Sequence, residues 1–93
     1  MNEHIEIIED ELEQAESYMK QSSYMVDCGL RLQRYAGACL LVDYVECMIN
    51  ARAHIQMAGL EPIYQDTVER LDEEAEQLYE QYDINELLGG ESL

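Results

Sequence analysis

Ninety-three residues, 47% of them apolar, are enough for one small domain and too apolar for a disordered acidic tail. Twenty-one acids against five basic residues give a formal charge of −16, a field that repels phosphate backbones and anionic lipid surfaces. Direct binding of DNA, RNA or membrane is thereby excluded as the expected activity.

No run of eighteen apolar residues occurs, and residues 1–10 are acidic where a secretory leader would be basic and then hydrophobic. A chain that is neither exported nor membrane-spanning is predicted, working in the cytoplasm. Cys28, Cys39 and Cys47 are odd in number and lack the dense spacing of a disulfide framework, so they read as reduced thiols in the core.

Glycine is scarce and Pro62 is the sole proline, so little interrupts helices and an all-α fold follows. In the first segment Ile5, Ile8, Leu12, Ala15, Met19, Ser22 and Val26 recur at alternating spacings of three and four, the seam of an amphipathic helix over about 3–26. Asp27 and Gly29 offer a cap and a flexible point. Residues 30–58 are then apolar around most of their circumference, as in a helix buried by its neighbours.

Gly59 followed by Pro62 ends that helix and opens the next, over 62–82. Here Tyr64, Val68, Leu71, Ala75, Leu78 and Tyr82 repeat the narrow seam of the first helix. Asp83 and Glu86 have capping-box spacing, which predicts a short turn over 84–88 before Gly89 and Gly90. The expected architecture is a small antiparallel bundle of three helices, with a long apolar central helix that pairs with a second copy to form a dimer.

Charge divides along the same boundaries. Residues 1–26 carry seven acids against Lys20, residues 27–60 three acids against Arg31, Arg34 and Arg52, and residues 61–93 eleven acids against Arg70. A neutral centre is flanked by two acidic arms.

On the third helix Glu69, Glu73, Glu76, Glu80 and Asp83 run in a line beside the apolar seam, and Glu6, Glu9, Glu13 and Glu16 do the same on the first. Amphipathic helices ordinarily turn such residues to water, and solubility alone rewards net charge. Yet Glu6 with Asp10, Glu9 with Glu13, Glu69 with Glu73, Asp72 with Glu76 and Glu76 with Glu80 are like-charge pairs four apart, each costing the helix about 0.2–0.5 kcal/mol. A conflict kept without local compensation points to a use for the charge. Between 66 and 83 eight carboxylates occupy about 26 Å of helix, roughly one per 3.2 Å, beside about 3.4 Å per phosphate along one DNA strand.

These eleven acids, with Tyr79 beside the line as an aromatic anchor, are the candidate partner-binding residues: Glu6, Glu9, Asp10, Glu13, Glu16, Glu69, Asp72, Glu73, Glu76, Tyr79, Glu80 and Asp83. In charge density, size and helical content the chain resembles phage-encoded nucleic-acid mimics that block restriction, CRISPR or repair enzymes. No sequence motif carries that resemblance. It implies a basic nucleic-acid-binding protein as partner, met in the bacterial cytoplasm.

Chemistry finds less support. His4 and His54 form no HExxH or ExxH motif, Cys47 and His54 are two ligands short of a zinc site, and Ser22 and Ser23 have no adjacent base. No catalytic residue, metal or cofactor is expected. The enzymatic rival is Mg²⁺-dependent nucleotide hydrolysis, with Asp43 and Glu46 as inner ligands. A plain helical adaptor, oligomeric through its second helix, is the other alternative.

Overall fold

A computed structural model describes residues 3–26 and 30–82, without the side chain of Arg31. Among the described residues there are three helices: α1 (Glu3–Met25), α2 (Arg31–Ala58) and α3 (Glu61–Tyr82). Each agrees with the sequence reading to within a residue at either end. The turn expected over 84–88 and the cap expected of Asp27 and Gly29 lie outside the described residues. The first residue of α2 is preceded by Leu30, which is extended and gives no side-chain cap.

The α2–α3 boundary has the chemistry that glycine and proline foretell. Gly59 adopts the left-handed conformation, φ 69° and ψ 32°, which costs a residue without Cβ nothing. Its N–H donates to the Gln56 carbonyl at 3.2 Å, and Leu60 N–H reaches back to the Ile55 carbonyl at 2.9 Å. This pair of bonds is a Schellman motif, with Leu60 folded against the core as its apolar clasp. The Leu60 carbonyl then accepts from Ile63 and Tyr64, so Pro62 sits in the first turn, where its missing N–H costs no helical bond.

Cross-helix pairs establish the topology. His4 meets His54 and Ser22 meets Gly37, so α2 runs antiparallel to α1; Glu9 meets Tyr64 and Ser22 meets Tyr82, so α3 runs parallel to α1. The seams do the burying. Ile8, Leu12, Ala15 and Met19 of α1 close on Leu41, Tyr44, Met48, Ala51 and Ile55 of α2, with Leu71, Ala75, Leu78 and Tyr82 of α3 completing the core. Full burial of a side chain such as Ile8, Leu41 or Leu71 contributes about 1.5–3 kcal/mol.

Along their lengths α1 lies close to α2, while α3 stands farther from both. At one end the three helices share a junction. The Ser22 hydroxyl donates to the Gly37 carbonyl at 2.8 Å, and the Tyr82 hydroxyl donates to the Ser22 carbonyl. A Cβ on Gly37 would lie 2.8 Å from Cζ of Tyr82 and 3.0 Å from Cβ of Met25.

Residues 30–58 are apolar around most of their circumference, but within one chain two neighbours cover only one face of α2. Leu32, Ile49 and Met57 are 83%, 58% and 64% exposed, and Tyr35, Val42 and Val45 lie open beside them. Three helices of similar length enclose one core, and the outward side of each is left to solvent.

Replacing Gly37 by alanine tests the junction. Helix propensity alone would favour alanine by about 1 kcal/mol, but the buried Tyr82 ring cannot swing aside without leaving the core. Net destabilisation of about 1–2 kcal/mol is expected from overpacking, read as a loss of roughly 5–10 °C in a thermal melt. A rise in Tm would mean the contact is slack.

Candidate partner-binding surface

The seams hold the carboxylate rows in place. With Ile8, Leu12, Ala15 and Met19 facing inward, Glu6, Glu9, Asp10 and Glu13 are turned to solvent on α1. On α3, burial of Leu71, Ala75 and Leu78 leaves Glu69, Glu73, Glu76 and Glu80 exposed in the same way. These eight candidate positions are open to a partner. Asp83 lies outside the described residues.

Glu16, Asp72 and Tyr79 are half-buried and engaged within the bundle. Arg70 reaches from α3 to Glu16 at 3.5 Å and to Glu74 at 3.2 Å, and Lys20 approaches Glu16 at 3.9 Å. Asp72 is held by Arg52 and accepts the Tyr44 hydroxyl at 3.1 Å. Tyr79 packs against the core with its ring lining a cleft between α2 and α3. Arg34 spans to the Gln81 carbonyl at 3.3 Å, placing a cation at the negative end of α3.

Lys20, Arg34, Arg52 and Arg70 are thus all spent on internal contacts. No described cation is left to neutralise the outward rows. Exposed ion pairs of this kind add little stability, so their main consequence is electrostatic: Arg34, Arg52 and Arg70 bridge between helices, Lys20 lies along α1, and the exposed rows are left without a described cation.

The chain matches no known protein family, no curated protein and no solved structure. What its surface can do is therefore read from its own residues.

Burial and the acidic field act together on the protonated groups between the helices. The Tyr44 hydroxyl titrates well above its ordinary range, first because it is buried and then because Asp72 faces it. Burial, followed by the charge of Asp72, raises Tyr79, and burial with Glu9 raises Tyr64, whose hydroxyl lies 3.5 Å from that carboxylate. The Cys47 thiol is pushed up to about 11, by burial and then by Glu11, Asp43 and Glu46. A thiol kept protonated in this way is a poor nucleophile and a poor metal ligand.

His4 and His54, fifty residues apart, come together with their Nδ1 atoms 2.9 Å apart. One nitrogen must carry the proton and the other the lone pair. The pair was legible only through the α1–α2 register, in which partner numbers sum to nearly the same value for His4 with His54 and for Ser22 with Gly37. Cys47, seven residues from His54, pairs instead with Glu11. Asp43 and Glu46 are exposed, and among the described residues no three His, Cys, Asp or Glu side chains converge on a point that would hold a metal ion.

Stability should fall in alkali. The unfolded chain loses the Cys47 proton near 9.0 and the tyrosine protons near 10.0, while the fold retains them to higher pH. Stability fully present below these values is lost as pH rises past them, because the unfolded state then binds fewer protons. Thermal melts from pH 8 upward should show Tm falling beyond about 9, with Cys47→Ala flattening the first part of the fall and Tyr44→Phe the later part. Profiles that neither substitution alters would disprove this assignment.

Proposed function

We propose that this chain is an acidic binding protein, an inhibitor that occupies the basic nucleic-acid-binding surface of a partner protein as a DNA or phosphate mimic. One observation carries the reading: the described cations are engaged in contacts within the chain while two rows of exposed carboxylates face outward on parallel helices. An ordinary solvated face would be served as well by mixed charge, without the like-charge pairs four residues apart. A row of carboxylates, one about every 5 Å along the helix, suits a groove lined by Lys and Arg.

Nucleases, CRISPR effectors and repair proteins present such grooves, and an inhibitor of the anti-restriction or anti-CRISPR type, phage-encoded and acting in the bacterial host cytoplasm, fits the resemblance noted above. In this reading the protein needs no catalytic group and no cofactor. Glu6, Glu9, Asp10, Glu13, Glu69, Glu73, Glu76 and Glu80 make the contact, and Glu16 and Asp72 hold the helices that present them.

A second reading, a helical adaptor or subunit that pairs with its own kind, is favoured by the open apolar row on α2. Exposed apolar side chains in a line along one helix are a common mark of an interface. The two readings are compatible, since pairing would double the acidic surface. Light scattering across a range of concentrations decides it: a mass that stays at the 10.8 kDa of one chain removes the dimer.

Capture from host lysate at low and high salt should recover nucleic-acid-binding proteins that release as salt rises, since exposed charges are screened over about 8–10 Å near physiological ionic strength. Nucleic acid should compete for the same partner. Changing Glu69, Glu73, Glu76 and Glu80 together to glutamine should leave the helix intact or slightly steadier, yet weaken partner binding by on the order of tenfold or more. The same change at Glu6, Glu9, Glu13 and Glu16 reports whether α1 shares the contact. If both quadruple variants bind as the parent does, the rows are solvated faces and mimicry is wrong.

A further inference from the structure

Because α3 stands off from α2, an open furrow runs between them on the side away from α1. Its central part is a cleft of about 260 Å³ between Val45 and Ile49 of α2 and Ala75 and Tyr79 of α3. Next to it a wider groove of about 520 Å³ is lined by Ile55, Tyr64 and Val68. Arg52 borders both and is already neutralised by Asp72. From Val45 to Ile55 the furrow follows α2 for about 15 Å, close to three turns of helix.

The two walls differ in chemistry. The α2 wall is apolar and open, with Ile49 58% exposed, whereas the α3 wall carries Glu61, Glu69 and Glu76 at its edge, with Glu73 and Glu80 beyond. We infer that this furrow is a docking groove for a basic amphipathic helix of a partner protein, whose apolar stripe fills the floor and whose Lys and Arg edge lies along α3. An apolar trough of this width suits helix-in-groove recognition, with anchors at i, i+3, i+4 and i+7.

Charge selects the occupant. From a second copy of this chain, α1 or α3 would set carboxylates against the carboxylates of the α3 wall, which costs energy at close range, and α2 would bring them no free described cation, because Arg34 and Arg52 are already engaged. A helix with a cationic edge meets those same groups with opposite charge. The inference rests on the basic-partner reading above and adds that the partner is helical and apolar on one face, so that part of the binding survives salt.

Two synthetic peptides of about eighteen residues, five turns at 3.6 residues each, make the test. Both have the same leucine and lysine composition; one places leucine on a single helical face and the other scatters it. Affinity is read by fluorescence anisotropy on the full chain. The patterned peptide should bind about tenfold more tightly than the scattered one. Ile49→Ser and Val45→Ser, both at open positions and checked for helicity by circular dichroism, should remove that advantage and leave the scattered peptide unchanged. Glu69→Gln with Glu76→Gln should weaken both peptides.

Equal binding of the two peptides would overturn the groove and leave the acidic surface standing. Binding of neither would defeat both ideas. Indifference of the patterned peptide to Ile49→Ser also overturns the groove. So does a dimer in sedimentation that Ile49→Ser dissolves and the peptide fails to displace, because the α2 wall would then belong to a second copy.

Discussion

The junction of Ser22, Gly37 and Tyr82 is the constraint on which the rest of the bundle depends. Gly37 is in the interior of a helix, where glycine costs about 1 kcal/mol relative to alanine. That cost is offset by closeness: without a Cβ, α2 accepts the Tyr82 ring against its backbone and the Ser22 hydroxyl on its carbonyl. One residue from each helix is thereby tied to the other two, and the two hydrogen bonds satisfy polar groups that burial would otherwise leave unpaired. Fixing one end of all three helices sets the register by which Ile8, Leu41, Met48 and Leu71 meet further along.

The electrostatics follow from that register. Bringing α3 alongside α1 sets Arg70 between Glu16 and Glu74, and bringing it alongside α2 sets Asp72 between Arg52 and Tyr44. A chain with five basic residues in total uses Arg34, Arg52 and Arg70 between helices and Lys20 along α1, and keeps its uncompensated acids on the outside. Internal pairs orient the helices, and outward rows pay for that arrangement with mutual repulsion. Raised tyrosine and cysteine titration belongs to the same balance, because groups between the helices feel both burial and the surrounding carboxylates.

The unequal spacing of the helices links packing to the proposed contact surface. Ala15 and Ser22 on α1 and Gly37, Ala38 and Ala51 on α2 are buried where those two helices lie close, whereas α3 packs on them at a greater distance. The furrow between α2 and α3 is the space this difference leaves. Its apolar wall is the outward face of a helix whose other face is core, and its acidic edge is the outward face of a helix whose seam is core.

The helices themselves were legible in the sequence. Alternation of three and four among Ile8, Leu12, Ala15 and Met19, and among Leu71, Ala75, Leu78 and Tyr82, dictates which face is buried, because an amphipathic helix has one way to hide an apolar stripe. Gly59 and Pro62 located the turn between α2 and α3 by backbone geometry alone, and the separation of acids from the seam followed from the same periodicity. Only the tertiary structure decided which face of α2 remains open, which carboxylates are claimed by Arg52, Arg70 and Lys20, and that His4 meets His54. Those depend on register and on the distance between helices, set by cross-helix contacts such as Ser22 with Gly37 and Gly37 with Tyr82. Local spacing fixes the face that a residue occupies; only packing chooses its neighbour.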